Sequence, residues 1–198
     1  MTEDLAKSPI FMFQEWLEEA GKDEPNDPNA MCLATADSGG KPSARMVLLK
    51  SYDEKGFVFY TNEQSHKGRD LTENPQAALC FYWKSTRKQV RIEGKTEQVS
   101  DKEADDYFAS RPRGAQIGAW ASAQSRPLES DTALQKAVEE LEEKYKDTKS
   151  IPRPDYWIGY RLVPDSIEFW IADINRLHDR FMYTKNDNGQ WTIQRLYP

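Results

Sequence analysis

The segment Arg176-Leu177-His178-Asp179-Arg180 places three strong hydrogen-bond donors at alternate positions. In an extended strand, Arg176, His178 and Arg180 share one face, each pair about 6.6 Å apart. Three such donors repel one another unless they are exposed or an anion sits among them. An exposed strand edge with ordinary arginines is the plain alternative. Trp170, just upstream, can wall a planar ligand. Ser65-His66-Lys67 opens a predicted helix. Backbone N–H groups, a hydroxyl and an ammonium at a helix start suit a phosphate, although a simple Ser cap would account for the same residues. Tyr107 and Arg111 share a helix face if that helix runs far enough. A phenol beside a guanidinium would then clamp a second phosphate. Arg45 and Lys50 flank Met46-Val47-Leu48-Leu49. Their spacing points them to opposite faces of a regular strand, toward two different anions.

Other chemistries find little support. No serine stands near a histidine in an elbow motif. Cys32 and Cys80 sit in apolar, strand-like runs and read as reduced core residues rather than as a disulfide framework or a reactive thiol. The two histidines, His66 and His178, form no zinc spacing with the two distant cysteines, so no metal is expected. Neither a G-x-G-x-x-G run nor a Walker loop occurs. Chemistry therefore belongs to a bound cofactor. Two anion clamps with flat aromatic walls point to a phosphorylated planar cofactor and a phosphorylated substrate.

The elements that must position these groups fit one domain spanning 1–198, with a helix and loop over 1–29. The chain has 198 residues, 27 Lys+Arg against 33 Asp+Glu, and a formal net charge of −6. Aromatics make up 12%, too many for a disordered chain. No apolar run is long enough to span a membrane, and Met1–Lys7 lacks a hydrophobic signal core, so a soluble cytoplasmic protein is expected. Between Lys84 and Lys95 five basic residues accompany one acid, which fits a small-anion site or a solvated surface. The acidic total and the absence of a long basic face argue against nucleic acid.

Ser8-Pro9 starts a helix with the stripe Ile10, Phe13, Trp16, Leu17 and Ala20, ending before Gly21. Strands are expected at 30–35, 43–49, 57–60, 76–83, 88–98, 157–162, 166–171, 180–183 and 191–196. Helices are expected over 65–74, from the capping box Ser100-x-x-Glu103 to about Ser110, and over 131–146. Strands joined by short turns are antiparallel. The fold class is α+β, with a closed or partly closed antiparallel barrel.

In order and spacing, several stretches resemble pyridoxamine 5′-phosphate oxidases. They are Arg45-Met-Val-Leu-Leu-Lys50, Phe59-Tyr-Thr-Asn62 with Ser65 and Lys67, and Gln89-Val-Arg-Ile-Glu-Gly94. They continue with Tyr107-Phe-Ala-Ser-Arg-Pro-Arg113, Gln116-Ile-Gly-Ala-Trp120, Gln124-Ser125, Glu168-Phe-Trp170, Arg176-Leu-His-Asp-Arg180 and Arg195-Leu-Tyr-Pro198. The resemblance covers roughly 30–198. It implies a split β-barrel with flanking helices and a homodimer with FMN at the subunit interface. By position, Arg45, Met46, Val47, Leu48, Leu49, Lys50, Tyr60, Thr61, Ser65, His66 and Lys67 would hold FMN, with Gln89, Gln124, Ser125, Trp170 and Arg180. Lys50, Tyr107 and Arg111 would grip the substrate phosphate. Arg176, Leu177 and His178 would lie over the substrate ring, with Arg176 and His178 as the catalytic pair.

The implied reaction takes pyridoxine 5′-phosphate or pyridoxamine 5′-phosphate to pyridoxal 5′-phosphate. A hydride passes to the flavin, and O2 reoxidises it with release of H2O2. Five positions depart from the family pattern: Ala115 replaces a phosphate-clamp serine, His66 an arginine, Ile158 a glycine, and Ile171-Ala172 a Gln-Gly pair. The alternatives are a related FMN oxidase of the phenazine-pathway type and a flavin- or pyridoxal-phosphate-binding protein without turnover.

Overall fold

The structure is a computed structural model, and it describes residues 8–198. The reading of Met1–Lys7 as lacking a signal core lies outside the described residues. Helix α1 (Pro9–Asp23) begins at Ser8, whose Oγ accepts from the Ile10 N–H at 3.2 Å. It runs past Gly21, against expectation. A glycine costs a helix only about 1 kcal/mol, and the Glu24 N–H still closes onto the Ala20 carbonyl at 2.8 Å.

Strands β1 (Ala30–Ala36), β2 (Pro42–Leu48), β3 (Ser51–Asp53) and β4 (Gly56–Asn62) lead to helix α2 (His66–Glu73). Strands β5 (Gln76–Trp83) and β6 (Lys88–Gln98) follow. Three helices come next: α3 (Asp101–Ser110), α4 (Arg113–Ala121) and α5 (Ala133–Tyr145). The chain closes with β7 (Trp157–Ile171), a 3-10 turn at Ile174–Arg176, β8 (Asp179–Lys185) and β9 (Trp191–Arg195).

Every strand pair is antiparallel, in the order β2-β1-β5-β6-β7-β4-β3, with β8 on β7 and β9 on β8. The sheet forks at β7. Its first half pairs with β4, from Trp157↔Asn62 to Leu162↔Phe57, and its second half pairs with β8, from Ser166↔Thr184 to Ile171↔Asp179. Strand β6 follows the opposite edge of β7 from Tyr160 to Ile171. The two strands expected over 157–162 and 166–171 are thus one. The register shifts at Glu93/Gly94 opposite Pro164, a bulge that bends the strand without ending it. A Cβ on Gly94 would meet the Val163 carbonyl oxygen at 2.1 Å, so only glycine allows the approach.

The curled sheet encloses the core with α1. Phe13 is fully buried, with its ring 4.9–5.1 Å from Phe57, Tyr52 and Phe81. A second cluster joins Phe108, Ile117, Tyr145, Ile151 and Trp157 between the helices and the start of β7. The cysteines are free, as read, but are not core residues. They alternate with buried Met31, Leu33, Leu79 and Phe81, so they face outward, half-buried and directly opposite each other across β1 and β5. Among the described residues, no helix is long and apolar enough to cross a membrane.

Candidate active site

Helix α2 meets the end of β4 at very short range. A Cβ on Gly68 would lie 2.1 Å from the Glu63 carbonyl oxygen. Ser65 caps the helix by accepting from the Gly68 N–H at 3.3 Å. The next-but-one side chain, Lys67, is buried at 8% exposure. Its Nζ donates to Thr61 Oγ1 at 3.2 Å, Ser65 Oγ at 3.3 Å and Gln124 Oε1 at 3.1 Å. All three acceptors are neutral. Burial, and then the nearby Arg45, push the Lys67 ammonium below the ordinary lysine range.

Arg45, on β2, lies beside this seat. Its Nη1 donates to Thr35 Oγ1 at 2.7 Å and to the Leu33 carbonyl at 3.3 Å, and its Nη2 donates to Ser43. Buried Asp70 stands 3.8 Å from Nη2. Burial lowers the Arg45 pKa, and Asp70 opposes that shift.

A second group of side chains faces the same cavity. Tyr60 stacks on Tyr107 at 4.2 Å and on Trp157 at 5.0 Å. Burial first, then Glu103 and Tyr107, push the Tyr60 phenol up to about 12. The Arg111 guanidinium lies 4.9 Å over the Trp157 ring. Its Nη1 is buried with no hydrogen-bond partner among the described residues, and burial lowers its pKa. Helix α3 stops at Ser110, so Arg111 is its extended C-cap and not a fourth-residue neighbour on the same helical face. Both residues still line the cavity.

The cavity is about 750 Å³, within the range of small-molecule sites. Eleven predicted residues line it: Arg45, Met46, Val47, Leu48, Lys50, Tyr60, Thr61, Lys67, Tyr107, Arg111 and Gln124. Arg45 and Lys50 therefore border one cavity instead of serving opposite faces, because β2 ends at Leu48 and Lys50 lies beyond it. Leu49 is buried in the core, and His66 is exposed with Nε2 3.5 Å from Asp70. Ser125 stands at a left-handed turn with φ 69°.

The remaining predicted residues form a separate group that does not line this cavity. Gln89, Trp170 and Arg180 occupy one cross-strand row over β6, β7 and β8. His178 lies 4.5 Å from the Trp170 ring, and its Nδ1 accepts from the Asp173 N–H at 3.2 Å. Arg180 is held by buried Glu168 at 2.7 Å and by the Tyr197 carbonyl at 3.0 Å. The single strand face expected for Arg176, His178 and Arg180 does not form. Asn175 and Arg176 take left-handed φ values of 57° and 64°, which puts Arg176 in the 3-10 turn beside exposed Leu177.

Sequence reasoning missed Asp70, Glu168 and Trp157. Glu168 sits in an apolar strand, and Asp70 lies four residues after His66; a carboxylate in such a place signals a buried partner. Among the described residues, no cluster of His, Cys, Asp and Glu could hold a metal.

An anion fits both cation groups. Lys67 has only neutral acceptors, and Arg111 keeps a buried donor free. The stacked rings of Tyr60, Tyr107 and Trp157 give the same cavity a flat aromatic wall.

The family model described as pyridoxamine 5′-phosphate oxidase matches residues 17–145. The pyridoxine 5′-phosphate oxidase C-terminal dimerisation region matches residues 157–198. A pyridoxine/pyridoxamine 5′-phosphate oxidase of Chelativorans sp. is 56% identical, covering 98% of this chain and 92% of that one. The Brucella canis protein of the same name is also 56% identical, covering 100% and 98%. Among solved structures, PhzG from Burkholderia lata, in complex with tetrahydrophenazine-1-carboxylic acid, has a TM-score of 0.92 at 35% identity, covering 99% of this chain and 95% of that chain. An FMN-binding protein from Nostoc punctiforme shares the fold, with a TM-score of 0.77 at 17% identity over 98% of this chain and 100% of that one. With its fold a split barrel of the same kind, the chain belongs to the pyridoxamine 5′-phosphate oxidase family.

Proposed function

We propose that this chain is an FMN-dependent oxidase that converts pyridoxamine 5′-phosphate and pyridoxine 5′-phosphate to pyridoxal 5′-phosphate, with O2 as acceptor and H2O2 as product. The observation that carries this reading is one cavity with two cation groups. Arg45 and Lys67 form the first, and Lys50 and Arg111 beside Tyr107 form the second. Phosphate needs donors without competing counter-charge, which Lys67 and Arg111 supply.

When bound, FMN supplies a two-electron acceptor that dioxygen can reoxidise. The chain's own residues bind and orient. Arg45, Lys67, Thr61 and Gln124 hold the cofactor phosphate, with Ser65 fixing the helix start. Lys50, Tyr107 and Arg111 hold the substrate phosphate, and the stacked rings of Tyr60, Tyr107 and Trp157 keep that end of the cavity dry. Arg176 and His178 position the reacting carbon. In this reading they come with Gln89, Trp170 and Arg180 from the second subunit of a homodimer, with FMN at the interface. The match of 157–198 to a dimerisation region supports this, as does the failure of that group to line the cavity of its own chain. The reading places the enzyme in the cytoplasm, where Cys32 and Cys80 stay reduced.

The likeness to PhzG favours a second reading, an FMN oxidase of tetrahydrophenazine carboxylates. Ala115 on the cavity wall leaves room for such a ring. Oxygen uptake by the purified protein separates the two readings. Uptake with pyridoxine and pyridoxamine 5′-phosphates supports the first. Uptake only with tetrahydrophenazine-1-carboxylic acid would replace it with the second.

A further inference from the structure

We infer that Asp70 is a positioning residue that fixes the Arg45 guanidinium at the phosphate seat by way of Thr35. The inference rests on the reading of that seat as the FMN phosphate site.

Arg45 needs such a device. It lies on β2, which among the described residues pairs with β1 alone, and Met46 and Leu48 of the same strand are 65% and 36% exposed. A long side chain on an edge strand keeps rotamer freedom unless its donors are occupied. Asp70, by contrast, is buried at 4% exposure on α2, the helix whose first turn supplies Lys67. Its Oδ2 accepts from the Thr35 hydroxyl at 2.6 Å, and Thr35 Oγ1 in turn accepts from Arg45 Nη1 at 2.7 Å.

A hydroxyl has one proton to give. Because the carboxylate takes it, the Thr35 oxygen can only accept from the guanidinium, and the direction of the chain is set. The ion pair between Asp70 Oδ2 and Arg45 Nη2 at 3.8 Å reinforces it. The other oxygen, Oδ1, lies 3.5 Å from His66 Nε2. One helix therefore presents Lys67 to the seat directly and holds Arg45 there across strand β1.

A carboxylate beside an anion seat has two opposed effects, which makes the inference testable by sign. If Asp70 is only a nearby negative charge, its removal tightens phosphate binding. If it positions Arg45, its removal loosens it.

Apo-protein carrying Asp70→Asn, Thr35→Val or Thr35→Ser is titrated with FMN and with riboflavin, which lacks the phosphate, by flavin fluorescence. In Asp70→Asn and Thr35→Val the Kd for FMN should rise on the order of tenfold. The Kd for riboflavin should stay unchanged, and Thr35→Ser should bind FMN like the parent. Equal or tighter FMN binding by Asp70→Asn overturns the inference, and so does an equal loss for FMN and riboflavin, which marks a merely structural role. Should Asp70→Asn fail to fold, Thr35→Val against Thr35→Ser decides. If the parent protein itself does not prefer FMN over riboflavin, the reading of the seat fails, and the inference falls with it.

Discussion

Replacing Lys67 with methionine separates cofactor binding from folding. The ammonium is buried against three neutral oxygens at 3.1–3.3 Å, with no carboxylate among the described residues paired to it. In the apo-protein its charge is therefore a burden, as its lowered pKa records, with burial as the main cause and Arg45 second. Its folded pKa lies below the unfolded 10.5, so apo-protein stability rises as pH climbs through that folded value toward 10.5. Lys67→Met removes the burden. Thr61 can still donate to Gln124 at 3.2 Å, so no buried group is orphaned. The apo variant should melt no lower than the parent at neutral pH. Its affinity for FMN should fall, because one charge-assisted contact is worth about 1.5–3 kcal/mol. That range corresponds to roughly 10- to 150-fold in Kd. Thermal melts of the apo forms and FMN titrations read the two effects separately. An apo variant that melts well below the parent, or one that binds FMN as tightly, would refute the reasoning.

Three further outcomes follow from the geometry. Gly159→Ala would set a Cβ 2.6 Å from both Tyr60 Cε1 and Val99 Cγ2, so Tyr60 must shift; thermal melts should show a loss of about 1–3 kcal/mol, and substrate affinity should fall more than FMN affinity. The Tyr60 phenol, at about 12 against an unfolded 10.0, contributes stability that is full below pH 10 and is lost between pH 10 and about 12, so denaturant unfolding at pH 9 and pH 11 should show a lower midpoint at the higher pH. Arg176→Ala should cut turnover strongly while FMN stays bound; unchanged turnover would remove Arg176 from the reaction.

Much of the scaffold was legible in the sequence. The limits of β5 and β6 follow from bounded β-branched and aromatic runs. The Ser100 cap holds as expected, with its Oγ accepting from the Glu103 N–H at 3.2 Å. Helix α4 was not legible, because Pro112, Gly114 and Gly118 weaken its pattern and packing on α5 supplies what propensity does not. The split expected between 162 and 166 does not occur because β7 carries a bulge there, with Asp165 unpaired opposite Glu93 and Gly94, and the strand that makes this possible lies about 70 residues away in sequence.

The site divides in the same way. Local signals located Ser65-Lys67, Tyr107 and Arg111. The face of Arg176 depended on two left-handed residues, Asn175 and Arg176, which strand periodicity cannot anticipate. Asp70 and Glu168 act through partners on other elements, Thr35 and Arg45 for the first and Arg91 and Arg180 for the second, so their local placement signals a buried partner without identifying it.

Anaerobic mixing of the purified yellow protein with pyridoxine 5′-phosphate tests the central claim most directly. The flavin colour should bleach on mixing and return when air is admitted, with H2O2 appearing in the solution. A protein that purifies without flavin, or one whose colour persists with both pyridoxine and pyridoxamine 5′-phosphates, would contradict the account.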